Sequence, residues 1–260
     1  MQYISSIRKH AFLYTVLLSV LALTGCKKDI LQSVPDTTHA NLKGNVKSVT
    51  LKQYRAEQRN DGKEYAMGEL LESKEYSYTQ EGLLAGEKTL DEAGTPVEDL
   101  HFTYDISGET TTVHSEDGTV TVTRDLNAMT RTKEYRDREG KVIETSLSTI
   151  DERGLPLVTE VRTPGGQVTR KTVLERDAFG HVTSDEEYLE GELIHKITST
   201  LNKAGDPVTQ VETNATDTIA SRAFIYNYDG KGNWTRRIVR HMPKNKDPYY
   251  TLSERGITYY

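Results

Sequence analysis

The 260-residue chain is acidic, with a formal net charge of −6 at pH 7, and it holds one cysteine, four Phe and one Trp. An acidic chain without clusters of Lys and Arg binds nucleic acid poorly and offers no polybasic patch to anionic lipid headgroups, so we expect no nucleic-acid partner. A lone cysteine also cannot form an internal disulfide.

The first 25 residues have the features of a secretory signal peptide. Arg8 and Lys9 precede an apolar run over residues 11–23, which is shorter than the ~20 residues that span a membrane. The run ends in the tetrapeptide L-T-G-C at Cys26, which resembles the bacterial lipobox. This resemblance implies that the chain is cut before Cys26 and that Cys26 is lipidated, which anchors the protein to a membrane. The alternative is a plain secretion signal with an incidental cysteine.

Residues 26–42 are predicted to form a flexible tether behind the lipidated Cys26, because they show neither strand nor helix periodicity. In lipoproteins, an Asp directly after the cysteine can retain the protein at the inner membrane, and Lys27 stands there instead. The resemblance therefore implies an outer-membrane lipoprotein, on the periplasmic face or at the cell surface. Removing residues 1–25 takes away Arg8 and Lys9 and no acid, so the charge of the remainder is −8.

A short phrase, D-x-x-G, recurs along the rest of the chain and predicts a series of hairpin turns. The first residue, Asp or Asn, can accept a hydrogen bond from the backbone two residues on, and the last, Gly, tolerates a positive φ. A further copy that ends at Gly82 has Thr79 in place of the Asp, and the glycines of the other phrases are Gly94, Gly108, Gly140, Gly154, Gly180, Gly205 and Gly232. The last four lie 25 to 27 residues apart, a period that predicts repeats of two strands and two turns.

Two of these copies, Y-D-x-x-G at Tyr104 and at Tyr228, resemble the YD-repeat (rearrangement-hotspot) class of β-hairpin repeats. The resemblance is degenerate elsewhere and covers roughly residues 46–240. The phrase K-G-x-V-K beginning at Lys43 and the phrase G-N-W ending at Trp234 also resemble secreted Bacteroidetes lipoproteins of unknown role. These resemblances imply a repeated β-hairpin architecture and name no ligand.

The strands between the turns alternate Thr with Val, which is typical of antiparallel sheets with one half-buried face. We therefore predict an all-β fold over residues 43–260: an elongated, twisted antiparallel β-meander of repeated hairpins, curled enough to bury its apolar face. The alternative is a flat single-layer sheet that is wet on both faces. The segment from about residue 241 is predicted to cap the last edge.

The sequence predicts no catalytic residues, no metal site and no cofactor. The seven histidines are not paired at metal-ligand spacing, and the sequence contains no zinc-protease, nucleophile-elbow, Walker or dinucleotide-binding motif. Each turn offers one carboxylate, whereas Ca²⁺ takes six to eight oxygen ligands. We therefore expect that the protein is not an enzyme.

Aromatic residues at the junctions of strands and turns are the candidate binding residues: Tyr76, Tyr78, Tyr226, Tyr228 and Trp234. Tyr and Trp can stack on sugar rings or anchor a protein partner. The alternative is that they cover the sheet as cross-strand pairs. The leading hypothesis is a non-catalytic, envelope-anchored lipoprotein that binds a protein or glycan partner through its sheet face or edge. The second is a structural or assembly component of the cell envelope.

Overall fold

A computed structural model describes residues 36–59, 64–104, 110–115, 118–125 and 128–260. Residues 1–35, with the predicted signal peptide, Cys26 and most of the predicted tether, lie outside the described residues, as does Gly108. Within the described part, no helix is long and apolar enough to cross a membrane.

The described chain is all-β apart from one short helix, which confirms the predicted class. The helix α1 spans Asp36–His39. The strands are β1 (Val46–Arg59), β2 (Glu64–Tyr78), β3 (Leu84–Leu90), β4 (Pro96–Tyr104), β5 (Thr110–Ser115), β6 (Gly118–Asp125), β7 (Thr130–Asp137), β8 (Val142–Ile150), β9 (Pro156–Arg162), β10 (Val168–Arg176), β11 (Val182–Leu189), β12 (Glu192–Leu201), β13 (Pro207–Thr213), β14 (Thr218–Tyr228), β15 (Trp234–Pro243) and β16 (Tyr249–Tyr259).

The strands form a closed barrel, so the predicted open meander and its flat-sheet alternative are both wrong. Each strand pairs antiparallel with its neighbours in sequence, and β16 pairs with β1 from Val46↔Tyr259 to Ala56↔Tyr250. The segment from residue 241, predicted to cap the last edge, instead contains the strand that closes the ring. Closure gives the outermost N–H and C=O groups of both edge strands partners.

The turn phrases take the predicted geometry. At Asp151, the backbone N–H donates to Leu155 O at 2.9 Å, while Oδ1 accepts from the N–H groups of Arg153 and Leu155. Gly154 closes the turn with a φ of 79°. Because strands alternate in direction, the turns that follow even-numbered strands lie at one end of the barrel, which we call the mouth end. The other turns lie at the far end.

The alternation of side chains divides the sheet into two faces. On β12, Ile197 and Ser199 are half-buried on the inner face, whereas Thr198 and Thr200 are exposed on the outer face. The outer face carries charged pairs: Lys88–Asp99, Arg136–Glu134, Arg162–Glu160 and Lys196–Glu186, at 2.5 to 3.0 Å. It also carries exposed apolar side chains, such as those of Val97 and Ile225.

Two small hydrophobic clusters lie on opposite faces of the β1–β16 pair. Val49 pairs with Ile257, and Tyr54 pairs with Leu252, in one uninterrupted register. Positions 49 and 54 differ by an odd number, so their side chains face opposite ways. Val49 joins an inner cluster with Val46, Leu42 and Tyr78, and Leu252 joins an outer cluster with Ala56 and Ile238.

Residues 36–45 form a strap that contacts several turns at the mouth end. The N–H of Thr37 donates to Gly82 O at 3.1 Å, and Asn41 Nδ2 donates to Ala204 O at 3.0 Å. Further along, the N–H of Lys43 donates to Asn233 Oδ1 at 2.7 Å. The last residues of the predicted tether, 36–42, are thus held against the barrel, with Thr37 and Leu42 buried.

Candidate functional site

A cavity of about 520 Å³ lies at the mouth end, beneath the strap. We call it the mouth cavity. Leu42 and Lys43 of the strap form one wall, and the inner face of the barrel contributes Asp185, Ile197 and Gln210. Apolar surface and a few hydrogen-bonding groups therefore meet in one concave site, which is the composition of ligand pockets.

Neighbouring turns position the rest of the cavity wall by direct contact. Arg153 of the β8–β9 turn donates from Nη1 to Ala178 O of the β10–β11 turn at 3.2 Å. His181, which follows that turn, lies against Gly205 of the β12–β13 turn, where an added Cβ would sit 2.2 Å from His181 Nε2. The glycine at 205 is therefore needed both for its φ of 85° and for the space that His181 occupies.

His181 is fixed by the carboxylate of its own turn, since Nδ1 lies 2.9 Å from Asp177 Oδ2. Burial acts to raise the pKa of Asp177, but hydrogen bonds from His181 and from the backbone N–H groups of Phe179 and His181 lower it below its usual value. The Phe179 ring is 83% exposed at the cavity rim and lies 6.2 Å from the His181 ring. The rim thus offers an aromatic face next to an oriented imidazole.

Deeper in the mouth cavity, the walls carry charges of both signs. Burial raises the pKa of Asp185, with a further contribution from Glu187 against the opposing effect of His195. Burial also lowers the pKa of Arg176. Lys43 Nζ is hydrogen-bonded to Asn41 Oδ1 at 2.8 Å and to Ala204 O at 3.2 Å. The cavity can therefore serve both donors and acceptors of an uncharged polar ligand.

Three of the predicted aromatic residues come together beside the cavity. The ring of Tyr226 lies 5.8 Å from that of Tyr228 and 6.3 Å from that of Trp234. The Tyr226 hydroxyl donates to Pro207 O at 2.9 Å, and the Tyr228 hydroxyl donates to Asp206 Oδ2 at 3.0 Å. These bonds tie β14 to the turn before β13, so the hydroxyls have structural partners.

Related contacts occur before two other mouth-end turns, although near Tyr228 the strand-start carbonyl of Pro207 is bonded by Tyr226. Tyr104 donates to Leu84 O at 2.6 Å, and Arg176, in the equivalent place before its turn Asp, donates from Nε to Pro156 O at 3.3 Å. In each case the residue before the turn reaches the start of the strand that follows the preceding mouth-end turn. The position thus links one repeat to the next.

Two arginines that the sequence reading missed lie over Trp234. The guanidinium carbons of Arg237 and Arg255 are 4.8 and 3.6 Å from its ring centre. Tyr76 and Tyr78 lie on the adjoining inner face of β2, and both interact electrostatically with Arg255. We call Tyr76, Tyr78, Tyr226, Trp234, Arg237 and Arg255 the aromatic–arginine cluster. Trp234 and Tyr78 are almost fully covered, at 5% and 6% exposure, and a binding role for the predicted aromatics stays a prediction.

Burial dominates the electrostatics of this cluster. It lowers the pKa of Arg255 to about 10, with a further contribution from the positive charge of Arg237. It raises the pKa of Tyr78 to about 12, against the opposing effect of Arg255. Among the described residues, no group of three or more His, Cys, Asp or Glu side chains could hold a metal ion.

Comparisons with known proteins give weak structural likenesses. No family model and no curated protein matches the chain. A porin-like protein from Bacteroides uniformis is 12% identical with a TM-score of 0.41, over 83% of this chain and 99% of that one. A porin-like protein from Bacteroides vulgatus is 10% identical with a TM-score of 0.26, over 83% and 98%.

A third likeness is to a much longer chain in the Photorhabdus luminescens Tc holotoxin pore. It is 16% identical with a TM-score of 0.31, and the match covers 72% of this chain and 12% of that one. With TM-scores of 0.41 or lower, these likenesses transfer neither a function nor a ligand to this chain.

Proposed function

We propose that the protein is a non-catalytic lipoprotein of the outer membrane that binds a glycan or protein partner at the mouth end of its barrel. In this proposal the barrel is a closed array of degenerate YD-like hairpin repeats, and Cys26 carries the lipid anchor. The observation that carries the binding role is the mouth cavity, with about 520 Å³ of space between the strap and the inner face.

The mouth is the best-suited surface because the other binding modes of a sheet are closed off. A peptide that adds a strand needs an unpaired edge, and both end strands of this barrel are paired with each other. The outer face satisfies its charges internally through pairs such as Lys88–Asp99 at 3.0 Å. The mouth cavity, where apolar walls meet hydrogen-bonding groups and the strap adds a further wall, is therefore the place that we propose for a partner.

The size of the cavity favours a glycan end or one protruding side chain over a broad protein surface. Pockets of about 300–1,000 Å³ hold small molecules, and the mouth cavity lies in this range. The exposed ring of Phe179 at the rim is available to stack on a sugar ring. We therefore place Phe179, His181 and Gln210 at the ligand.

The anchor and the barrel have separate tasks in this proposal. Cys26 shortly precedes the strap in the sequence, so the lipid is joined to the barrel at the mouth end. The charged outer face keeps the barrel in water beside the membrane rather than within it.

The test is binding of the mature chain, with Cys26→Ser to keep it soluble, to a glycan array and to crosslinked envelope proteins. We expect a partner whose affinity falls about tenfold in Phe179→Ala, because stacking contributes on the order of 1 kcal/mol or more. The matched control is Ile225→Ala, which removes an exposed apolar side chain from the outer face. Equal losses in both variants, or no partner for the wild type, would contradict the proposal.

A structural or assembly role is the second candidate, and the coverage of Trp234 and Tyr78 favours it. In that case the aromatic residues serve the fold alone, and the protein acts by self-association. Light scattering of the mature chain decides between the two candidates: a stable oligomer without any ligand supports the structural role, and a monomer that binds a glycan supports the first candidate.

A further inference from the structure

We propose that Arg237 and Arg255 form a recognition site for an oxyanion, such as a carboxylate, sulfate or phosphate, carried on a ring that packs beside Trp234 and the neighbouring tyrosines. The inference rests on the proposed binding role and adds to it a second site, which takes a charged group. It concerns the aromatic–arginine cluster rather than the mouth cavity, so the two can be tested apart.

The register places the two guanidinium groups together on the inner face. Arg237 pairs with Ser253, and Arg255 follows Ser253 by two positions on the same strand and hence on the same face. Such diagonal neighbours are about 7–8 Å apart at the backbone. Long side chains can therefore converge on one group, and both guanidinium groups do reach the Trp234 ring.

Neither guanidinium has a carboxylate partner among the described residues. Arg237 donates from Nη2 to Ser253 Oγ at 3.3 Å, and the contact described for Arg255 is the Trp234 ring. The Nε atoms of both arginines are buried without a hydrogen-bond partner in the described structure, as is that of Arg162 on the outer face, but Arg162 has a carboxylate partner. Holding two like charges in such a place costs free energy unless an anion pairs with them.

The outer face shows how differently this chain treats other arginines. Arg136 and Arg162 each have a Glu two residues earlier on the same strand, at 2.6 and 2.5 Å. The charges of these half-buried arginines are thus neutralised locally. The inner pair, which is more buried and has more need of a counter-charge, lacks one.

The nearest acidic groups are already engaged elsewhere. Glu72 and Asp206 act on Arg237 from beyond ion-pair distance. Glu72 Oε1 lies 3.2 Å from Lys74 Nζ, and Asp206 accepts hydrogen bonds from Asn41 and Tyr228. The two guanidinium groups can therefore pair with an anion from outside the chain.

The chemistry of the site specifies the ligand class. Planar guanidinium groups match the two oxygens of a carboxylate, sulfate or phosphate, and they bind such groups with charge-assisted hydrogen bonds. Tyr76 and Tyr226 lie on the same face as the two arginines, and their rings supply apolar surface for a ring carried by the ligand. An acidic sugar combines both features.

The experiment measures binding of glucuronate, inorganic sulfate and inorganic phosphate to the mature chain by calorimetry, at constant ionic strength set with chloride. Glucose is the neutral control. We expect glucuronate to bind and its affinity to fall at least roughly tenfold in Arg255→Met, because the variant loses a charge-assisted hydrogen bond. Arg255→Lys keeps the positive charge but loses the planar guanidinium group, so its anion affinity should lie between those of the wild type and Arg255→Met. It also serves as the control in case the Met variant misfolds.

Two further variants make the outcomes decisive. Arg162→Met removes an ion-paired arginine from the outer face and should leave anion affinity unchanged, as should Arg136→Met. If glucuronate binds more tightly than the inorganic ions, the site recognises the sugar ring as well as the oxyanion. If the affinities are equal, it recognises the oxyanion alone. The inference is overturned if the wild type binds none of the three anions, or if Arg255→Met and Arg162→Met bind them equally well. Loss of partner binding in Phe179→Ala with intact anion binding separates the two proposals.

Discussion

The two ends of the barrel use the same turn phrase in different ways. At the far end, a Cβ atom added to Gly94, Gly140 or Gly166 meets nothing within 4 Å. At the mouth end, a Cβ on Gly180 would lie 2.9 Å from Leu155 Cδ1, and one on Gly205 would lie 2.2 Å from His181 Nε2. The far-end turns at Gly94, Gly140 and Gly166 thus leave these positions open, whereas the mouth-end turns at Gly180 and Gly205 pack against neighbouring turns.

This difference shows what the repeated phrase contributes by itself. The φ angles of Gly140 and Gly205 are 80° and 85°, so the local backbone demand is the same. What distinguishes the mouth end is the set of contacts that neighbouring turns make with each other and with residues 36–45. A rim built in this way can hold a cavity of fixed shape.

Replacing a turn glycine with alanine should give the largest loss of stability. Gly140→Ala carries the cost of a left-handed alanine, about 1 kcal/mol. Gly205→Ala carries the same cost and also pushes His181 off its hydrogen bond with Asp177, for a total of about 3 kcal/mol. Urea unfolding of the two variants measures the difference.

The double variant His181→Ala/Gly205→Ala provides the control, because it removes the ring that the new Cβ meets. We expect its extra loss over His181→Ala alone to return to about the far-end value of 1 kcal/mol. Equal destabilisation by Gly140→Ala and Gly205→Ala would show that the mouth-end turns are as independent as the far-end ones.

Removing the hydrogen bonds that hold the strap should give the next largest loss of stability. The amide of Asn233 is 1% exposed, and it bonds the N–H and the C=O of Lys43, both at 2.7 Å, and the Tyr259 hydroxyl at 2.9 Å. Asn233→Ala leaves buried backbone groups of the strap unpaired, so we expect a loss of about 2–3 kcal/mol. Cleavage by a protease within residues 36–45 should become faster at the same time.

Asn214 is the matched position at the far end. Its side chain caps its own turn, accepting from the N–H groups of Thr216 and Asp217 at 3.0 and 2.8 Å, and it holds no second segment. We expect Asn214→Ala to cost about 1 kcal/mol and to leave strap proteolysis unchanged. A similar rate of strap cleavage in both variants would refute the idea that Asn233 fastens the strap.

The turns were predictable from the sequence because their physics is local. A carboxylate at Asp151 and a glycine at Gly154 act on a backbone segment of five residues, and both are visible in the sequence. Closure of the barrel was not predictable in this way. It depends on the twist and stagger summed over sixteen strands, to which each strand adds a small part.

The site was only partly predictable, for two identifiable reasons. Plain alternation from Trp234 would select Arg236 as its companion on the inner face, but an irregularity in the β14–β15 register brings Arg237 there instead. The strap escaped detection because its partners are remote: Asn41 bonds Asp206, and Lys43 bonds Asn233, across more than 160 positions. Short-range patterns carry no trace of such contacts.

Lowering the pH should have a smaller effect on stability, which also differs between the two ends of the barrel. Burial acts to raise the pKa of Asp229, but hydrogen bonds from the Tyr259 hydroxyl and from the N–H groups of Asn233, Lys231 and Gly232 lower it below its usual value. A carboxyl whose pKa is lower in the folded state contributes stability above its unfolded pKa of about 4, and this stability is lost as the pH falls through the folded value. Asp229→Asn should therefore lower stability at pH 7 and flatten its decline below about pH 4.

High salt should affect the Asp229 carboxyl at the mouth end and the Asp217 carboxyl at the far end differently. The pKa of Asp217 is also lowered, by an exposed hydrogen bond and ion pair with Lys244. In about 1 M salt the Debye length falls to about 3 Å, which screens exposed charges, whereas hydrogen bonds from backbone and phenol groups persist. Urea unfolding from pH 7 to pH 3 should show that the Asp229→Asn effect survives high salt and that the Asp217→Asn effect disappears. If salt removes both effects equally, the carboxyl at the mouth is held by surface charge alone, and the rim is less tightly built than its hydrogen bonds indicate.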